Sequence, residues 1–184
     1  MFKPETHIHE LRQAVSWATL NYEIWWVYKS EETRPRYVDT MNRYNMFFRV
    51  SIHAHFVALL MALYRIYETR RDTYNLPTCL KLLRKQEVLE SAHLDELDGL
   101  YQDAKPLWVK VSFLRNEVFG HRALNLDIGD VFEKAAITPN ELKTLIEKTE
   151  ALMNGFSHAV DNSVHAFNTG AREDTIRLLE DLGK

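Results

Sequence analysis

The sequence predicts an all-α fold, an antiparallel four-helix bundle with extra short helices. Three observations carry this reading. Apolar residues recur at steps of three and four through four long segments. No segment sustains the period-two alternation of a half-buried strand. With six glycines and five prolines in 184 residues, the chain has too few turn residues for an all-β protein, which needs a turn every ~10 residues.

Hydrophobic residues make up 46% and charged residues 27% of the chain. Such a chain can bury a core, which excludes a disordered polar segment. Its length suits a single helical domain over residues 1–184. Within it we expect a core of about 37–168, an N-terminal helix at 5–30 and a short C-terminal helix at 171–182.

The first helix is read from Ile8, Leu11, Val15, Ala18, Tyr22 and Trp25, which lie on one face. The pattern breaks at Pro35. A second apolar stripe spans 37–71 through Met41, Tyr44, Phe48, Ile52, Phe56, Leu59, Leu63 and Ile66. Val50, Val57, Met61 and Tyr64 add apolar groups on other faces. A helix apolar most of the way round is covered on several sides, by its own core or by a partner subunit. Asn75-Leu76-Pro77-Thr78 reads as a turn leading into a short helix.

A third long helix is expected from near Glu87, with Leu97, Leu100, Ala104, Leu107, Val111, Leu114 and Val118 as its stripe. Pro106 predicts a kink or short break just before it. Gly120 marks a place to stop. Residues 122–137 are mixed, with one helical turn at 131–135. Thr138-Pro139-Asn140-Glu141 is a helix start: Thr caps, Pro suits the first turn, and Glu reaches back to the cap. The helix that follows is expected to run through Phe167 and close at Gly170. An amphipathic tail, TIRLLEDL, ends the chain.

Charge and cysteine usage exclude several function classes. A net charge of −3 does not suit a protein that coats nucleic acid through a broad basic surface. Cys79 is the single cysteine, so neither an internal disulfide nor a multi-thiolate zinc site can form. In apolar surroundings it is expected as a small buried hydrophobe. The polar N-terminus lacks the apolar run of a signal peptide. The longest apolar run, Phe56 to Tyr64, is far shorter than the ~20 residues of a membrane span. The expected location is the cytoplasm, with no membrane partner.

The richest chemistry lies in FLRNEVFGH, Phe113 to His121. Arg115 is permanently charged and can grip a phosphate through two parallel hydrogen bonds. His121 can change protonation near neutral pH and serve as general acid or base. Asn116 can orient either group. A phosphate clamp beside a proton carrier is sufficient for a ribose 2′-hydroxyl to attack its own phosphodiester without a metal. On a straight helix, six steps of about 100° would put Arg115 and His121 on different faces. Either Gly120 bends the chain and brings His121 back, or a dimer pairs Arg115 of one protomer with His121 of the other.

Other constellations read more simply. Arg49 and His55 repeat the spacing mid-helix, without a following Asn, and are expected in a helix–helix contact. Glu90 and His93 form a Glu-x-x-His, which a di-iron bundle needs twice and this chain has once. His158 and His165 share a helical face without a matching carboxylate, and His7 and His9 lie near the chain end. We assign no metal and no cofactor. Trp25 and Trp26 are expected in the core rather than as a base-stacking platform.

At RNEVFGH the sequence resembles the HEPN superfamily, whose helical domains carry an Arg, a polar residue and a His a few positions on. It is most similar to the abortive-infection U-type branch. The order of elements carries the resemblance further: FFRVSIHAHFVALLMALYRIYE, LPTCLKLL, RNEVFGHRAL, then TPNELKTLIEK, covering about 37–167. The resemblance implies a four-helix core and a homodimer with two Arg/His pairs lining a shared cleft. It also implies metal-independent endoribonuclease activity in phage defence or a toxin–antitoxin system, with RNA as substrate and an antitoxin or other protein as partner. Carried over by position, Arg115, Asn116 and His121 match the family's three motif residues. One HEPN group has a Tyr two places after the His, modified by a partner nucleotidyltransferase. Here Ala123 stands there, which argues against that control. Some HEPN proteins lack activity, so the alternative is a non-catalytic helical dimer that binds a protein or nucleotide.

Overall fold

The computed structural model describes residues 3–87, 89–116, 135–167 and 170–184. Among these residues the fold is entirely helical: α1 (Pro4–Lys29), α2 (Arg34–Arg43), α3 (Asn45–Tyr67), α4 (Leu76–Lys85), α5 (Ser91–Arg115), α6 (Pro139–Asp161) and α7 (Ala171–Gly183).

Four long helices close a ring, in which α1 packs on α3, α3 on α5, α5 on α6 and α6 on α1. Every side runs antiparallel, as the pairings show. Trp25 stacks on Phe56 and Tyr28 meets Phe48 between α1 and α3. Tyr67 stacks on Tyr101 and Tyr64 faces Trp108 between α3 and α5. Lys110 binds Glu141 and Lys148 reaches Asp103 between α5 and α6. Arg12 and Thr19 of α1 bond Ser157 and Glu150 of α6. This is the expected bundle.

The core is filled by the predicted stripes. Leu59, Leu60, Leu63 and Ile66 of α3 have no exposed surface and pack with Leu114 of α5 and Leu142, Leu145 and Leu152 of α6. The N-terminal helix, which the pattern placed beside a core of about 37–168, is one of its walls: Ile8, Leu11, Val15 and Ala18 are each at most 1% exposed. An amphipathic stripe says that a helix is covered but not by what, so α1 looked like an appendage. A second, smaller core joins Val27, Tyr28, Tyr37, Met41, Phe48 and Leu179, and so seats α2 and α7 against the end of α1.

Local start signals are realised. Asn75 caps α4, its Oδ1 accepting from the Thr78 N–H at 2.8 Å. Thr138 and Glu141 form a reciprocal capping box on α6, at 3.2 and 2.7 Å. Each satisfies orphan N–H groups of a first turn.

Elsewhere tertiary packing overrides the pattern. The apolar run over 37–71 is two helices, broken at Tyr44 (φ −115°, ψ 40°). Apolar spacing continues across the break, so only the need of α2 to pack on α7 reveals it. The third long helix starts at Ser91, because Glu87 takes a left-handed φ of 51°. It continues through Pro106, contrary to the expected break. That proline lies on the exposed face, where the carbonyl it leaves without an N–H partner can turn to water. The last long helix stops at Asp161 rather than reaching Phe167. Asn162 adopts a left-handed C-cap (φ 56°), a conformation Asn tolerates. Gly170 opens α7 at φ 86° instead of closing α6.

As a whole, α3 is long and apolar enough to cross a bilayer, 23 residues with a mean hydropathy of 1.7 over its best 18. The reading of Phe56 to Tyr64 alone missed this because Arg49, His53 and His55 interrupt the run. The inner face of α3 is covered by α1 and α5. Its outer face exposes Met46, Phe47 and Val50, each at least 60% accessible.

Candidate active site at the end of α5

Arg115 is the last residue of α5 and Asn116 is its C-cap, still helical at φ −67°, ψ −42°. The neighbouring Leu114 is fully buried. It fixes the rotation of the last turn and so turns Arg115 toward α3.

The guanidinium is held from two directions. Its Cζ lies 4.4 Å from the centroid of the Tyr64 ring, a cation–π contact across the α3–α5 seam. Its Nη1 donates to Asn116 Oδ1 at 2.9 Å. Tyr64 is in turn braced by Trp108, about two turns earlier on α5, at 6.5 Å between rings. Nε of Arg115 is shielded from solvent and has no partner among the described residues. A planar cation is thus fixed at the end of α5, and its parallel N–H donors are of the kind that can take an anionic oxygen.

Asn116 is exposed, so the pair Arg115 and Asn116 sits at the surface rather than in the core. His121 and Ala123 lie outside the described residues, as do Gly120 and, of the turn expected at 131–135, all but the buried Ala135. The structure brings together Arg115 and Asn116 of the sequence-predicted site. Tyr64, which packs beneath the guanidinium, was legible only as an apolar group on a second face of its helix.

The other candidates resolve by position. His55 Nδ1 meets Asn21 Oδ1 of α1 at 2.9 Å, the expected helix–helix contact, and burial lowers its pKa. Arg49 turns away from it, into a cleft with Trp25, Lys29 and His53. His7 is fully buried, not at a loose end: its Nε2 is 3.0 Å from the Asn75 backbone. His165 follows the helix end, so it does not share a face with His158. Among the described residues, no three His, Cys, Asp or Glu come together as metal ligands. Cys79 is fully buried, and burial pushes its thiol up to about 12. Trp25 is core as expected, and Trp26 is half-buried at a cleft edge.

The profile of the HEPN family AbiU2 matches residues 3–178, and so includes α1 as well as the Arg115 turn. No curated protein and no solved structure matches the chain. A family match across nearly the whole length, on a four-helix bundle whose third long helix ends in Arg-Asn, places this chain in the abortive-infection AbiU2 family of HEPN proteins.

Proposed function

We propose that the protein is a metal-independent endoribonuclease acting in phage defence, as a homodimer in the cytoplasm. The observation that carries this reading is the fixed guanidinium of Arg115, seated on Tyr64 and tied to Asn116.

In this mechanism Arg115 grips a non-bridging phosphate oxygen of RNA and offsets the charge that grows on the pentacoordinate phosphorus. His121 takes the proton of the ribose 2′-hydroxyl. The 2′-oxygen attacks phosphorus, the bond to the 5′-oxygen breaks, and that oxygen leaves with a proton delivered by water, to which the protonated His121 then gives up the proton it took. The products are a 2′,3′-cyclic phosphate and a 5′-hydroxyl. Asn116 positions Arg115. Exposed Val109 and Phe113, on the last turns of α5, provide the apolar contact through which a second protomer brings its own pair to the same groove. A separate antitoxin or other protein would restrain the activity.

The test is incubation of purified protein with mixed RNA in EDTA, beside Arg115→Ala and His121→Ala. Cleavage leaving cyclic phosphate ends, lost in both variants, is the expected result. Equal cleavage in all three would mark a contaminant and remove the assignment.

A further inference from the structure

Across the bundle from the Arg115 seam, α1, α6, the segment ending at Phe167 and the start of α7 enclose a cleft of about 570 Å³. Its walls carry four carboxylates, Glu23, Glu32, Glu147 and Glu150, against Lys143 and Arg172. Both cations are already engaged: Arg172 with Glu32 at 3.1 Å and Lys143 with Glu147 at 3.7 Å. Glu23 and Glu150 form no salt bridge among the described residues.

Their hydrogen bonds leave them half satisfied. Glu150 accepts from Thr19 Oγ1. The Glu23 carboxylate lies near the backbone N–H of Arg172, in the first turn of α7, while its Oε2 is buried with no partner among the described residues. Beside them Tyr22 is 6% exposed, lines the same cleft, and its hydroxyl also has no partner among the described residues. An unpaired buried hydroxyl and an unpaired buried carboxylate oxygen each carry a desolvation cost, which a donor entering the cleft would relieve. Burial, then the charges of Glu173 and Glu150, hold the Glu23 carboxyl above its usual range. Burial, then Glu147, does the same for Glu150. Among the lining residues four carboxylates thus face two cations.

The shape narrows the ligand. The carboxylates do not converge as metal ligands, and the cleft has the size of a small-molecule site rather than an ion site. Tyr22 and Trp26 stack at 5.8 Å with 14° between their planes, a flat aromatic wall beside the acids. Aromatic faces and spaced carboxylates together select an organic cation over a hydrated metal. Carboxylates on both α1 and α6 favour more than one ammonium group.

We propose that this cleft binds a linear polyamine, with ammonium groups donating to Glu23, Glu150 and the Tyr22 hydroxyl and the chain lying against Trp26. The proposal is independent of the ribonuclease reading.

The experiment is equilibrium dialysis of the full chain with labelled spermidine at near-physiological salt. One saturable site is expected. Glu150→Gln and Tyr22→Phe should each weaken it about tenfold, the usual effect of losing one charged hydrogen bond. Glu23→Gln keeps an acceptor for the start of α7 and should weaken it similarly. The α5 variant Asp95→Asn/Glu96→Gln should bind like wild type, butylamine should bind more weakly, and excess magnesium should not displace spermidine. Melting temperatures confirm that each variant is folded. Absence of a saturable site overturns the proposal. So does equal loss in the α5 variant or displacement by magnesium, since either would mean diffuse counterion attraction.

Discussion

Arg12 fastens the first helix to the last helix of the bundle, and its removal tests whether α1 is structural. Its Nε donates to Ser157 Oγ at 2.9 Å, and its Nη2 reaches Asp161 at 2.5 Å and Ser163 Oγ at 3.0 Å. The Arg12 side chain is 18% exposed but that of Asp161 is 45% exposed, so the ion pair counts as a screened surface pair, about 0.5 kcal/mol. The bond to buried Ser157 contributes about 1 kcal/mol. Ser157 keeps its own bond to the Met153 carbonyl, so truncation does not orphan it. Lost packing of the arginine stem brings the expected cost of Arg12→Ala to about 2 kcal/mol. With a urea slope of about 2 kcal/mol per molar, the unfolding midpoint should fall by about 1 M at unchanged slope. Arg12→Lys, which cannot span all three partners, should fall between the two. The measurement is urea unfolding followed by tryptophan fluorescence and circular dichroism. A fall of less than about 0.2 M for Arg12→Ala would refute the reasoning, because the clamp would then be a crossing of surface groups without energetic content.

Three further outcomes follow from the same geometry. Tyr64→Leu should reduce RNA cleavage about fivefold while Tyr64→Phe retains it, since the aromatic face that steadies Arg115 is worth about 1 kcal/mol; kcat/KM of both variants against wild type decides this, and equal loss in both would point to the hydroxyl instead. Ser163 and Arg12 hold the Asp161 carboxyl down at about 2. A depressed carboxyl stabilises the fold fully above its ordinary pKa, near ~4, and loses that contribution as pH falls toward about 2. The difference in urea midpoint between wild type and Arg12→Ala should therefore shrink over that interval, and a constant difference would contradict the pairing. Cys79, buried and with its thiol pushed up to about 12, should react with an aromatic disulfide reagent at least about a hundredfold slower in the native state than in urea; rapid native labelling would show that α4 opens readily.

Taken alone, the sequence determined the helical class, most of the core and the starts of α4 and α6. Those features are local. A three–four apolar rhythm, an Asn or Thr ahead of a helix and a Glu three places on act within one or two turns, whatever surrounds them. The motif was legible for the same reason: Arg115 and Asn116 are neighbours in the chain, and their hydrogen bond needs only the end of a helix.

Tertiary structure alone decided the rest. It made α1 a wall of the core, split the 37–71 run at Tyr44 and carried α5 through Pro106. It ended α6 at Asn162, where Arg12, 149 residues away from Asp161, clamps the turn. It also placed Tyr64 beneath Arg115 and gathered Tyr22, Glu23 and Glu150 into one cleft. Each of these depends on which faces meet between segments distant in the chain. Helical periodicity records that a face is buried, whereas the identity of its neighbour is settled only when the four helices pack.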